Sequence, residues 1–429
     1  MPPPVVGVCF PSDETGISGR SGRSCFVNSA TVKTEKRKVL ALIGRRDLLS
    51  DGVWDYCLRL VDALHPHDID IQLFETNWAQ NGWFAALRTL WSESTKMRAD
   101  WTLLQYTAMA WSRRGFPIGA LVVAWMAKSR GEQLGVVFHE SRGFRANGIW
   151  ARFRFACQEW TIRRLYSIAD LGAFTVPLVD VPWLAKSDSK ARFIPIGSNI
   201  PENTAPRHRT ASTESPKTVA VFCVTNRDRT VWEVEEIAAA IRHAVRIVPN
   251  LRLTVFGRGA IESRQLLESA LAGSGVELSV LGVLSGEEVK RILCDADALL
   301  YVRDVLNPRR GCSLAAVACG LPIVSYGDAT ASYPLSEAGI MLARPGDREG
   351  LAHALERVLT DDSMWNSLHL LSLSAYKKFF AWEEIARRFG VVLNAPYSPK
   401  PDRGGKVSSY LGSPTGSEDL HSREAPDVR

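Results

Sequence analysis

The chain has 429 residues, too many for one ordinary core, so two domains are expected. Its 46% hydrophobic and 23% charged residues exclude a disordered chain, and eight scattered cysteines without a C-x-x-C pair exclude a disulfide framework or a cysteine zinc site. The formal charge of +6 permits anionic partners such as nucleotides, phospholipid headgroups or nucleic acid, and selects none.

Residues 1–36 are rich in Pro, Gly, Ser and Thr without a period, which predicts a flexible extension; residues 396–429 have the same character. The opening M-P-P-P-V-V lacks the basic-then-apolar order of a secretory signal. The longest apolar run, Phe116–Ala127, is shorter than the ~20 residues that span a bilayer. The expected location is the cytoplasm, with peripheral contact on the inner face of a membrane.

From there short apolar strands alternate with amphipathic helices. Val39–Ile43, Ile69–Phe74, Trp101–Gln105, Leu134–Phe138 and Leu171–Thr175 read as buried strands, and Val53, Cys57, Leu60, Val61 and Leu64 form a helical stripe. The polar stretch 201–217 reads as an interdomain linker. A second series follows: Thr218–Val224, Leu251–Phe256, Glu277–Leu281, Ala298–Val302 and Pro322–Ser325. Thr230 with Glu233, and Ser285 with Glu288, carry the spacing of capping boxes. Alternation of this kind implies an α/β chain with two Rossmann-like domains facing a cleft, and ligands bind at the carboxyl ends of such strands.

Residues able to carry chemistry fall at those ends. Gly44–Gly52 links the first strand to the first helix. Gly52 would let a ligand approach the backbone, and Ser50 or Asp51 would cap the helix; the two roles are compatible. His139 and Glu140 directly follow a strand and suit binding of hydroxyls or proton transfer, unless the histidine merely closes the strand through a hydrogen bond. Arg227, Arg229, Arg258, Arg303, Arg309 and Arg310 all follow strands of the second series; their convergence would suit a diphosphate, whereas each alone reads as a solvated surface arginine. Asn307–Tyr326 runs two arginines into a Gly-Cys-Ser turn that opens a small-residue helix, Ser313–Cys319. That places amide groups and guanidinium forks at one helix start, or forms an ordinary connection. No H-E-x-x-H or His/Cys cluster is present, so no metal is expected. Arg142–Arg164 interleaves six arginines with aromatic residues; it could lie on an anionic membrane or along a nucleic acid, or be an amphipathic domain helix with solvated arginines. Trp78, Trp83, Trp91, Trp101 and Trp111 crowd the first half, where an acceptor could stack.

Taken in order, these pieces resemble a GT-B glycosyltransferase of the large retaining group often called family 4. The resemblance runs from about Val39 to Phe389. In the first half it rests on S-D-G-V-W-D-Y-C-L-R-L-V-D-A-L, L-L-Q-Y before R-R-G-F-P, G-V-V-F-H-E and F-I-P-I-G-S-N-I-P. In the second it rests on T-V-F-G-R-G, L-G-V-L-S-G-E-E-V-K-R-I-L-C-D-A-D-A-L-L-Y-V, A-C-G-L-P-I-V-S-Y, R-P-G-D-R-E-G-L-A-H-A-L and F-A-W-E-E-I-A. It implies an acceptor domain over 37–200, a nucleotide-sugar domain over 218–374, and a closing helix at about 375–392 that crosses back to the first.

Members typically carry two glutamates that bind sugar and ribose hydroxyls. Asn307 and Ala315 stand there in this chain, while Arg309-Arg310-Gly311-Cys312-Ser313-Leu314 is similar to a subgroup with an arginine pair. The implied assignment gives the donor diphosphate to Arg309, Arg310, Gly311, Cys312 and Ser313, assisted by Arg227, Arg229 or Arg258. It gives the acceptor or donor loop to Asp51 and Gly52, and catalysis to His139 and Glu140. A nucleoside diphosphate sugar is the implied co-substrate, with no further cofactor, a saccharide or lipid-linked acceptor, and no nucleic acid. The missing glutamates leave an inactive scaffold or sugar-nucleotide-binding subunit as the alternative, and the basic stretch a nucleic-acid-binding protein.

Overall fold

The computed structural model describes residues 36–46, 51–144, 147–185, 187–200, 207–209, 216–225, 229–303, 306–327 and 333–395. The two terminal segments, Ser50, Arg227 and most of the stretch 201–217 lie outside the described residues. The first series comprises β1 (Arg37–Ile43), α1 (Gly52–Leu64), β2 (Ile69–Glu75), α2 (Trp78–Met97), β3 (Trp101–Tyr106), α3 (Ile118–Ser129), β4 (Gln133–Phe138), α4 (Ile149–Ile168), β5 (Leu171–Phe174) and β6 (Ala191–Phe193). The second comprises β7 (Thr218–Phe222), α5 (Thr230–Ala244), β8 (Arg252–Phe256), α6 (Ala260–Leu271), β9 (Glu277–Val280), α7 (Gly286–Asp295), β10 (Ala298–Tyr301), α8 (Gly311–Ala318), β11 (Ile323–Tyr326), β12 (Ile340–Ala343), α9 (Arg348–Thr360), α10 (Asp362–Ala375) and α11 (Trp382–Leu393).

The strands form two six-stranded sheets, ordered β2-β1-β3-β4-β5-β6 and β12-β11-β10-β7-β8-β9. Their pairings are parallel. Because side chains alternate across a strand, the apolar run of β1 serves both faces. Val39, Ala41 and Ile43 pack with Tyr56, Leu60 and Leu64 of α1. Leu40 and Leu42 pack on the other side with Leu90 of α2, Leu121 and Ala124 of α3, and Ile162 and Leu165 of α4. The second sheet repeats the arrangement: Val219, Leu253 and Leu300 face α5 and α9, whereas Ala220, Leu299 and Ile323 face α8.

The helix starts follow local chemistry. Asp51 accepts from the amides of Val53 and Trp54, at 2.9 and 3.1 Å, and opens α1. Ser285 and Glu288 form a reciprocal capping box at α7. The expected box at Thr230 does not form. Arg229 occupies the cap position, and Glu233 reaches back to the Thr225 amide at 2.7 Å. Glu233 therefore reaches further back along the chain than the box spacing supposes.

Helix α11 returns to the first sheet. Ile385, Ala386, Phe389 and Leu393 are fully buried with Val39, Ala41 and Leu60. The Trp382 indole donates to the Ser198 carbonyl at 2.8 Å. Gly197 permits this approach, because a Cβ there would stand 2.6 Å from the Trp382 ring. Of the stretch 201–217, residues 207–209 are docked on the second lobe. The Arg209 guanidinium is buried against Asp297, donates to the Val358 carbonyl at 3.0 Å and lies 4.5 Å over the Trp365 ring.

Candidate functional site

A cavity of about 620 Å³ lies where the carboxyl ends of the first sheet meet the loop after β10. Gly44 allows the first of its loops to form. A Cβ there would stand 2.3 Å from the Ala110 carbonyl oxygen, and the next amide, Arg45, donates to that oxygen at 2.7 Å. Asp51 and Gly52 follow at the mouth of α1, and His139 and Glu140 at the end of β4. Asn307, Arg309, Arg310 and Gly311 come from the second lobe. Seven of the residues singled out in the sequence therefore face one cavity.

His139 is held from three directions. Its amide donates to the Tyr106 carbonyl at 3.1 Å, its Nε2 pairs with Gln105 Oε1 at 2.8 Å, and its ring stands edge-on to Tyr56 at 5.1 Å. Burial lowers its pKa from 6.5 to about 4; the Asp51 charge opposes this and the Arg309 charge adds to it. The imidazole is therefore neutral near pH 7. Gln105 is itself buried, and its amide nitrogen has no hydrogen-bond partner among the described residues. Glu140 Oε2 accepts from the Ala108 amide at 2.8 Å. Burial raises the Glu140 pKa, opposed by that bond and by the Arg309 charge.

The second lobe contributes a built turn. Asn307 Oδ1 accepts from the Arg309 amide at 2.9 Å, and the Asn307 carbonyl accepts from the Arg310 amide at 3.0 Å. The turn carries both arginines to the cavity, and Arg309 Nη1 crosses to the first lobe, donating to the His139 carbonyl at 2.9 Å. Helix α8 starts directly behind. The Ser313 and Leu314 amides both donate to the Arg310 carbonyl, at 3.1 and 3.2 Å, and Ser313 Oγ donates there too, at 2.8 Å. The expectation that the Ser313 amide faces a ligand is corrected: it is spent inside the helix, and its side chain is fully buried.

Other expected donor contacts also stand elsewhere. Cys312, Ser313, Arg229 and Arg258 do not line the cavity. Arg229 lies 4.8 Å over the Trp232 ring, and Arg227 is outside the described residues. Arg258, Arg303 and Arg310 act instead on two thiols. Burial raises the Cys223 thiol pKa, opposed by the charges of Arg303 and Arg258, and burial lifts Cys312 to about 11, opposed by Arg303 and Arg310. Positive charge thus collects around two thiols behind the cavity wall.

None of the five tryptophans singled out in the first half lines the cavity. Trp78 stacks on Trp83 at 5.1 Å, and Trp83 on Trp111 at 6.4 Å, inside the first lobe. The cavity's aromatic side chains are Tyr56 and Phe144. Sequence reasoning missed Tyr56, Gln105, Thr107, Thr175 and Asn199, which also line it. Only Gln105 left a signal, as an amide inside a strand that is otherwise nearly all apolar. Away from the cavity, His243 and His353 both pair with Glu356 Oε2, at 2.7 and 3.1 Å. This His/Glu cluster was invisible to spacing because it joins α5 to α9.

Residues 217–361 match the family described as glycosyl transferases group 1. No curated protein sequence matches the chain. Among solved structures, sucrose-phosphate synthase from Thermosynechococcus elongatus is 17% identical, with a TM-score of 0.57 over 83% of this chain and 98% of that one. Anabaena HepE in complex with UDP and glucose is 14% identical, with a TM-score of 0.55 over 83% and 99%. A Listeria monocytogenes protein described as a UDP-N-acetylglucosamine 2-epimerase is 14% identical, with a TM-score of 0.57 over 82% and 95%. Two parallel six-stranded sheets with flanking helices, like those of these structures, make the fold GT-B, and its second lobe holds the residues that match the group 1 family.

Proposed function

We propose that the protein transfers a sugar from a nucleoside diphosphate sugar to a saccharide or lipid-linked acceptor, in polysaccharide or glycoconjugate synthesis. The observation that carries this reading is the convergence of Arg309 and Arg310 with Asp51, His139 and Glu140 on one interlobe cavity. The group 1 match of the second lobe supports it, as does the binding of UDP and glucose by Anabaena HepE.

In this reading the acceptor hydroxyl forms a bond to the anomeric carbon as the bond from that carbon to the diphosphate breaks. The diphosphate leaves with the electron pair, toward Arg309, Arg310 and the start of α8. Neutral His139 orients a sugar hydroxyl, and Glu140 supplies a carboxylate able to take the acceptor proton. The two lobes hold the reactants together and exclude water. The resemblance makes retention of anomeric configuration the expected course.

Thermal unfolding with uridine, guanosine and adenosine diphosphates and their sugar conjugates tests the reading, because a ligand of the folded state raises apparent stability by mass action. One nucleotide series should raise Tm, and its sugar conjugate should be consumed with release of the diphosphate when acceptor is present. No shift with any of them overturns the proposal. A second reading has one observation behind it: Asn307 spends its side chain on the turn and Ala315 is fully buried, so neither replaces a sugar-binding glutamate. Saturable binding with neither transfer nor donor hydrolysis would decide for a nucleotide-sugar-binding subunit.

A further inference from the structure

We propose that the outer face of α2, α3 and α4 docks on an anionic lipid bilayer, so that the protein lies on a membrane with its cavity mouth beside the lipid. The proposal does not rest on the glycosyl-transfer reading.

These three helices cover one side of the first sheet and bury only their inner faces. The outward stripe of α3 is Ile118, Val122 and Trp125, at i, i+4 and i+7, and Trp125 is 60% exposed. The outward stripe of α4 is Ile149, Phe153 and Trp160, at i, i+4 and i+11, with Trp150 beside it; Ile149 is 85% and Trp150 80% exposed. Helix α2 adds exposed Phe84 and Trp91. The three helices pack side by side: Gly119 of α3 lies against the Trp83 ring of α2, and the exposed face of α4 is met by Phe116, just before α3, whose ring stands 5.8 Å from Phe153.

Single exposed apolar residues are ordinary on a soluble protein, but a contiguous sheet of them marks an interaction surface. Its charge identifies the partner. Exposed Arg152, Arg163 and Arg164 flank the apolar stripe of α4, and exposed Arg88 sits between Phe84 and Trp91. Helix α3 has no carboxylate at all, and the one on α4, Glu159, is half-buried and gives an oxygen to the Gly143 amide. Tryptophan over an apolar stripe, edged by arginine, suits the headgroup layer of an anionic bilayer: the rings enter and the guanidinium groups meet phosphates. Among the described residues no helix is long and apolar enough to cross a membrane, so the helices lie on the surface. Phe144, five residues ahead of α4, is exposed and lines the cavity.

Flotation of the full chain with vesicles of phosphatidylglycerol and phosphatidylcholine in equal parts tests this. The protein should bind these vesicles and not pure phosphatidylcholine. The triple variant Trp125→Ser, Ile149→Ser, Trp150→Ser should lose about tenfold or more in vesicle affinity, and so should the pair Arg152→Glu, Arg164→Glu. Both variants should keep the wild-type Tm, since these side chains are exposed. Failure to bind anionic vesicles overturns the proposal, as does binding unchanged in both variants. A solution dimer abolished by the triple variant would also overturn it, assigning the face to a second copy of the chain.

Discussion

Arg310 occupies the cap position of α8 and faces the interlobe cavity. A charge-assisted contact there is worth about 1.5–3 kcal/mol, so Arg310→Ala should lower kcat/KM for transfer by about tenfold or more. Unchanged kinetics would remove the residue from the site. His139 makes a different prediction. Its pKa is about 4 in the folded protein against 6.5 ordinarily. Between those values the unfolded chain binds more protons, so its contribution to stability is complete above pH 6.5 and is lost as pH falls toward 4. Urea unfolding across this window should show wild-type stability declining relative to His139→Gln; a constant difference would contradict a buried neutral imidazole. His139, Glu140, Asp51 and the arginine pair were legible because strand ends of a parallel sheet share one edge. Thr175 follows β5 at that same edge, but neither it nor Asn199 carries a charge or a motif that sets it apart in the sequence.

Elements were legible in proportion to how much of each strand is buried. The central strands β1, β3 and β4 are almost wholly buried and read as largely apolar segments. Edge strand β12 escaped notice although its four residues, I-M-L-A, are all apolar, because so short a run does not tell a strand from other buried segments. The capping box at Ser285 was legible and should be worth about 1 kcal/mol, so Ser285→Ala should lower stability by that amount in denaturant titration. The docking of Arg209 was not legible, because its partner Asp297 is 88 residues away. Removing Asp297 would strand a buried guanidinium, and Asp297→Ala should cost about 3–5 kcal/mol. A smaller loss would mean that Asp362 or water takes over the charge.

At the scale of the whole molecule, two parallel sheets meet along their carboxyl edges, and the last described helix fastens to the first sheet. Phe389 is fully buried in that contact. Phe389→Ala should cost about 3–5 kcal/mol of unfolding free energy, with amide-exchange protection falling in β1 and α1 before β7 and β8. Uniform loss over both sheets would show that they unfold as one unit. Alternating strands and helices announced this architecture, but no local signal measures how tightly its ends are tied. Synthesis runs the other way along this tie: the strands that Phe389 covers leave the ribosome long before their cover does. Until it arrives, an apolar flank of the nascent first half stands open to chaperones and to neighbouring chains.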